Sequence, residues 1–391
     1  MTENRRSRQS FATRAIHAGE APDRSTGARG IPIHQSATFA FDSYDQIRAW
    51  EDGKEPHFQY SRESNPTVQS LEFKIANLEG GEATIATNSG MAAISAVLLH
   101  FATNGGHIIA SNQLFGASGD FLENEITSLG GAITRLDLRN LAAVEAAIRP
   151  ETALIHCESV SNPLLHVADV PALAAIARRH RIALSVDNTF LSPALYRPLE
   201  DGADLVMHSA TKYLSGSGQT VGGVITGNRE LVERIRRHVF RLGTYMQPFT
   251  AWLVILGCKT LPLRVERHVE NAMHIAALLE QHHAVAEVNY PGLATSDEHA
   301  TLQRINGGRA GGLLSFRLKD DPGSTRAFID ALDLCTVAVS LGEPLTLVWP
   351  YRDGLIRLAA GLESTDDIVA DLNVALNAAT ETVAARYGAV S

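Results

Sequence analysis

The chain is short of cysteine, of long apolar runs and of positive charge, and each shortage closes a class of function. Its 391 residues hold three cysteines, Cys157, Cys258 and Cys335. They are odd in number and widely spaced, so no disulfide framework or Cys-x-x-Cys metal site can be assembled from them. A reducing, cytoplasmic setting is expected. Cys157 lies in an apolar run and reads as core. No apolar run approaches the roughly 20 residues of a membrane span. The Arg/Ser-rich start, Met1 to Ser10, is too short for a transit peptide. The formal net charge of −9 argues against nucleic acid and anionic membrane as partners. His-Glu-x-x-His, Walker and Gly-x-Ser-x-Gly motifs are missing. The glycines of Gly216-Ser217-Gly218-Gln219-Thr220-Val221-Gly222-Gly223 do not fit G-x-G-x-x-G, so no dinucleotide site is read there. His282-His283 lacks a third ligand and reads as a solvated pair, so no metal is expected.

What remains is an ordinary globular composition, 45% hydrophobic and 20% charged, in a chain long enough for two domains. Residues 1–60 are polar and punctuated by glycine and proline, with little helical periodicity. A segment this long without its own core is expected to lie on another surface. From Pro66 the pattern alternates. Val68 to Glu79 carries Leu71, Ile75 and Leu78 at helical spacing. Strands are expected at Ala83–Ala86, His107–Ser111, Ile133–Leu138, Ala153–Cys157, Ile182–Val186, Leu205–His208 and Val224–Thr226, with helices between them. Strand after helix, repeated, means right-handed βαβ units and a mostly parallel α/β sheet. A long helical region from Met246 to about Leu279, broken at Pro262, leads into a smaller α+β part. Its strands are expected at Val285–Tyr290, Gly311–Arg317 and Leu334–Ser340. The organisation expected is an N-terminal segment 1–60, a large domain 61–250 and a C-terminal domain 251–391.

The chemistry gathers at two strand ends. Ile182 to Val186 runs into Asp187, and Leu205 to His208 runs into Ser209-Ala210-Thr211-Lys212. In an open parallel sheet ligands sit outside the carboxyl ends of the strands. One acid, one amine and two hydroxyls would then face one cavity. Pyridoxal phosphate chemistry needs that set: an amine for a Schiff base, an acid for the ring nitrogen and hydroxyls for the phosphate. By itself Lys212 reads more simply as a surface lysine.

Asp187-Asn188-Thr189 followed by Ser209-Ala210-Thr211-Lys212-Tyr213 resembles the signature of the Cys/Met-metabolism family of pyridoxal-phosphate enzymes. The likeness runs from Phe11-Ala12-Thr13-Arg14-Ala15-Ile16-His17-Ala18-Gly19 to Gly361-Leu362-Glu363. It implies the pyridoxal-phosphate transferase fold of type I, and a homo-oligomer, a tetramer built as a dimer of dimers with shared sites. It also implies roles. Lys212 carries the cofactor and moves protons. Asp187 holds the ring nitrogen, and Asn162 donates to the ring's phenolic oxygen. Ser209 and Thr211 bind phosphate together with the backbone amides of Gly90 and Met91 at a helix start. Tyr60 and Arg62 reach the phosphate of the adjacent subunit, and Tyr60 can supply a proton there. Arg357, with the Ser340 segment, holds the substrate carboxylate, as suits a guanidinium.

Three departures from the family bear on the reaction. Phe115 stands where a ring-stacking tyrosine is usual; it can stack but has no hydroxyl for acid–base work. Ser217 stands where lyases often carry histidine, nearer to sulfhydrylases. Before Arg357 a His-Pro-Ala-Ser loop and a short acidic helix are missing. The chain runs directly through Thr346-Leu347-Val348-Trp349-Pro350-Tyr351, and an acid that guides specificity appears as Leu345. The entrance should be more open, or rebuilt by Trp349 and Tyr351. The expected activity is γ-replacement on an O-acylhomoserine by sulfide or a thiol, with a methionine or cystathionine γ-lyase as the alternative.

Overall fold

The computed structural model describes residues 9–103, 105–319 and 323–388. The basic stretch 1–8 lies outside the described residues. Seven strands form the first sheet: β1 Ala83–Thr87, β2 His107–Ser111, β3 Ala132–Leu136, β4 Thr152–Glu158, β5 Ala183–Asp187, β6 Leu205–Ser209 and β7 Gly223–Gly227. Their order is β1-β7-β6-β5-β4-β2-β3. Only β7 runs against its neighbours. β4, β5 and β6 are almost wholly buried because helices cover both faces, which is why they read as continuous apolar runs. Their carboxyl ends open on one edge, and their last residues are Glu158, Asp187 and Ser209.

The second sheet comprises β8 Val285–Asn289, β9 Leu313–Leu318, β10 Thr336–Val337, β11 Leu347–Pro350 and β12 Leu355–Ala359, in the order β10-β11-β12-β9-β8. It is antiparallel except between β10 and β11. Between the two sheets in sequence runs one 34-residue helix, Pro248–Gln281. Its buried face, including Val254, Cys258, Leu261, Val265, Ala272, Ile275 and Leu279, packs into the main core.

Several expectations need correcting. Pro262 does not break this helix. Packing on both sides of the proline holds the helix together. The strand expected over Leu334–Ser340 shrinks to Thr336–Val337, because Ser340 leaves extended backbone at φ 102°. The N-terminal segment is not free of helix: Phe11–His17 and Tyr44–Glu51 are helical, each capped by the serine before it. The first is moored to helix Pro66–Glu79 by fully buried Lys74. Its Nζ donates to the Ala15 carbonyl at 2.7 Å and pairs with Glu20 at 3.1 Å. Beyond that mooring, most of residues 20–64 are exposed. No helix among the described residues is long and apolar enough to cross a membrane.

Candidate active site

Asp187 ends β5 in a buried position, and a carboxylate there needs donors. Its Oδ1 accepts the Thr189 N–H at 2.9 Å and also the Thr189 hydroxyl. Burial pushes this carboxyl up; the Thr189 bonds and the nearby His208 on β6 act the other way. The Thr189 hydroxyl oxygen in turn accepts the Ser209 N–H at 2.8 Å. One threonine therefore ties the acid at one strand end to the hydroxyl cluster at the next.

After Ser209 the chain turns sharply, with the Lys212 N–H on the Ser209 carbonyl at 3.1 Å. Lys212 Nζ is turned inward and donates to Ser340 Oγ at 2.7 Å. Burial, and then the Arg357 charge, lower the lysine below its ordinary value, while Glu343 opposes the shift. The amine is thus pushed toward its nucleophilic neutral form. Ser340 holds its position at φ 102°, a left-handed backbone that a serine adopts only under constraint.

The small-residue turn before helix Gly90–Ala102 forms a cradle. Ser89 caps the helix, its Oγ accepting the Ala92 N–H at 3.1 Å. The first amides, those of Gly90 and Met91, have no partner within the helix and can serve an anion. A Cβ on Gly90 would lie 2.8 Å from Ser209 Cβ, so only glycine lets helix and strand end come this close. Thr211 Oγ1 accepts the Gly222 N–H at 3.1 Å on the same side.

On the second sheet, β12 carries Arg357. Its Nη1 donates to Asn162 Oδ1 and its Nη2 to the Ser340 carbonyl, each at 3.3 Å. Burial lowers the guanidinium, and Tyr351 opposes that shift. The missing loop is replaced by a tight hairpin. Trp349 pairs in register with Arg357, and the turn Tyr351–Gly354 closes with the Tyr351 N–H on the Leu355 carbonyl at 2.7 Å. Tyr351 therefore faces the arginine, and Trp349 is 37% exposed.

Lys212, Asn162, Ser340 and Arg357 are joined by these bonds, and Asp187, Thr189 and Ser209 by the other set, with Gly90 packed against Ser209. Phe115 opens the short helix Gly116–Asp120 and is 47% exposed. Tyr60 and Arg62 stand apart from both sets. The Arg62 guanidinium stacks on Tyr60 at 5.3 Å and on Phe240 at 4.6 Å, beside a cavity of about 290 Å³ that Glu72 and Arg236 also line. No described hydrogen bond or ion pair joins either residue to Lys212. Three residues escaped the sequence reading as site members: Glu158, Thr189 and Glu343. Glu158 carried the same signal as Asp187, an acid ending an apolar run. Glu343 carried none beyond its nearness to Ser340.

A profile of the family described as "Cys/Met metabolism PLP-dependent enzyme" matches residues 12–350. The chain belongs to that family. It is 41% identical over 388 residues to an L-methionine gamma-lyase of Pseudomonas putida, covering 94% of this chain and 97% of that one. It is 37% identical over 387 residues to a canavanine gamma-lyase of Rhizobium leguminosarum bv. trifolii, covering 94% and 96%. Among solved structures it matches an O-acetylhomoserine (thiol)-lyase of Campylobacter jejuni with TM-score 0.89 and 31% identity, covering 94% and 99%. That structure carries N'-pyridoxyl-lysine-5'-monophosphate. The fold is accordingly type I, and the cofactor is pyridoxal phosphate. The residues present fit it: a half-buried, lowered lysine turned inward, a buried acid at the neighbouring strand end, and a glycine-lined helix start between hydroxyls. When bound, the cofactor supplies an electron sink for carbanion chemistry on an amino acid.

Proposed function

We propose that the chain catalyses γ-elimination on an amino acid whose γ-substituent is linked through oxygen. Phe115 is the observation that carries this reading. A tyrosine there would bring a proton to the leaving group, and this chain has a phenylalanine. A carboxylate or an N-hydroxyguanidine leaves with less proton help than a thiolate does. General acid assistance is worth on the order of 100-fold or more in rate, so its loss favours oxygen-linked groups over thioethers. Both curated relatives described above are lyases by name, which supports elimination over replacement. Lys212, held low by burial and Arg357, is the group placed to move the protons at Cα and Cβ. Arg357 takes the substrate carboxylate.

Glu343 adds a preference for the far end of the substrate. It is half-buried, three residues beyond Ser340, and its Oε2 packs so tightly on Gly218 that a Cβ there would lie 1.8 Å away. Its charge acts on Lys212. Among the described residues no donor is paired with it. A cationic distal group, such as the guanidinooxy group of canavanine, suits that carboxylate. The second reading, replacement on an O-acylhomoserine by a thiol, is supported by the likeness to the Campylobacter jejuni enzyme and by the short hairpin in place of a covering loop. Tyr60 and Arg62 are proposed to serve a neighbouring copy's phosphate cradle in a homo-oligomer; their exposure and the lack, among the described residues, of a bond from them to Lys212 support that.

The test is a substrate panel: canavanine, O-acetylhomoserine, O-succinylhomoserine, methionine and cystathionine, each with and without sulfide. The expected result is 2-oxo acid release from the oxygen-linked substrates at kcat/KM at least about 100-fold above that for methionine. Phe115→Tyr should raise the thioether rates. Equal rates on methionine in the unaltered chain would overturn the reading, and sulfide-dependent amino-acid formation would replace it with the second.

A further inference from the structure

Glu158 ends β4 directly beside Asp187; the two are partners in the register of adjacent parallel strands. Both are buried. Asp187 is satisfied locally by Thr189. Glu158 instead reaches two other segments of the chain. Its Oε1 accepts the Phe115 N–H at 2.6 Å, and its Oε2 accepts the Asn162 N–H at 3.3 Å. We propose that Glu158 is the positioning residue that sets the two contacts flanking the cofactor ring, Phe115 at the ring face and Asn162 at the oxygen-bearing edge.

The surroundings of Phe115 show why such an anchor is needed. Phe115 occupies the N-cap of helix Gly116–Asp120, and no side chain caps that helix. Its own ring is about half exposed, so packing does not fix it. Its carbonyl is tied into the helix by the Ser118 and Gly119 N–H groups at 2.8 and 3.1 Å, and its own N–H is held by Glu158. Asn162 is held from both sides: its N–H meets Glu158, and its Oδ1 meets Arg357 at 3.3 Å. A line of contacts thus runs from Phe115 through Glu158 and Asn162 to Arg357, joining the cofactor side of the site to the substrate side. A carboxylate with two parallel acceptors can serve two amides at once. An amide side chain offers one oxygen, and its NH₂ group opposes the second N–H.

A space-filling role for Glu158 would be better met by an apolar residue, because a buried acid costs free energy unless its bonds matter. The proposal rests on the roles read for Phe115 and Asn162, so its test is separated from activity. The apoprotein is titrated with pyridoxal phosphate, and Kd is read from the visible absorbance, for the unaltered chain, Glu158→Gln, Phe115→Ala and the double variant. Borohydride trapping on Lys212 in the unaltered chain reports on the cofactor site itself. If it labels another residue, the reading of the site fails whatever the cycle shows.

Glu158→Gln is expected to weaken cofactor binding about tenfold, the cost of losing one buried hydrogen bond. The melting temperature of the apoprotein should not fall with it. Because Glu158 acts partly through Phe115 and partly through Asn162, the effect in the double variant should be clearly smaller than the product of the two single effects. Glu158→Asp, which keeps both acceptor oxygens but withdraws them by one methylene, should fall between the parent and Gln. If Gln does not fold, the cycle is run with Asp. An unchanged Kd in the Glu158 variant, or single effects that simply multiply in the double variant, would overturn the proposal.

Discussion

Asp187 and Arg357 are buried to the same degree, 8% and 7% exposed, yet their supports differ. Asp187 stands at the end of a strand with paired neighbours on both sides, and every group around it belongs to β4, β5, β6 or the turns that follow them. Arg357 is also paired on both sides, with Ser315 on β9 and Trp349 on β11, but β11 spans only Leu347–Pro350 and ends in a tight turn. The acid side of the site is set by the main sheet. The arginine side is set by one loop, Ser340 to Glu343, folded onto Lys212, Tyr213 and Gly218. Substitutions on the two sides should therefore differ in kind. On the sheet side they should cost cofactor binding, and stability too wherever they leave a buried charge without its partner; on the loop side they should change only which substrate is used.

Lys212→Ala gives the largest effect. Without the amine there is neither cofactor attachment nor proton transfer at Cα, so kcat should fall by on the order of 10,000-fold or beyond measurement. The variant should bind pyridoxal phosphate without the absorbance of a lysine adduct. The same variant tests the proposed sharing between subunits. Mixed with Arg62→Ala under conditions of subunit exchange, it should regain part of the activity, because one site in a mixed pair receives both intact parts. No recovery despite proven exchange would place Tyr60 and Arg62 outside the site.

Under the acid side lies a second buried pair, His208 Nε2 to Glu79 Oε1 at 2.5 Å, with both side chains essentially inaccessible. His208 is also among the groups acting on Asp187. Removing one member leaves a buried carboxylate without its partner, which typically costs about 3–5 kcal/mol. His208→Ala should lower the melting temperature strongly and weaken cofactor binding in the same protein. A His208→Ala chain that melts like its parent would mean that the sheet side is less tightly determined than its bonding implies.

How much of this could be read from residues alone follows the same division. β2 was expected residue for residue, and the ends of β4, β5 and β6 within about one residue, since strands buried on both faces leave an unbroken apolar run. Asp187, Ser209 and Lys212 were visible because the run stops on them. Glu158 stops its run in the same way, and was passed over because its partners, the amides of Phe115 and Asn162, leave no trace in residue identity. The hairpin β11–β12 was hidden for another reason. Its turn is fixed by Gly354 at φ 81° and by main-chain bonds, and the resemblance offered a longer loop there. Pro262 misled because propensity is local, while the packing that keeps a helix continuous across a proline is not.

Glu343→Gln should have the smallest effect and the most selective one. Its carboxylate faces Gly218 and acts on Lys212, but it makes no described bond that holds the fold, so the substitution should leave melting temperature and cofactor affinity unchanged. On a substrate with a cationic far end it removes an ionic contact at a half-exposed position. Solvent screening limits that contact to roughly a tenfold change in kcat/KM. Canavanine should lose that factor, and O-acetylhomoserine, neutral at the same end, should change by no more than about twofold. The two rates measured side by side isolate the charge from any general disturbance of the loop. A loss shared equally by both substrates would mean that Glu343 acts through Lys212, by way of the charge it places near the amine. In that case the loop side of the site would serve the chemistry as directly as the sheet side does.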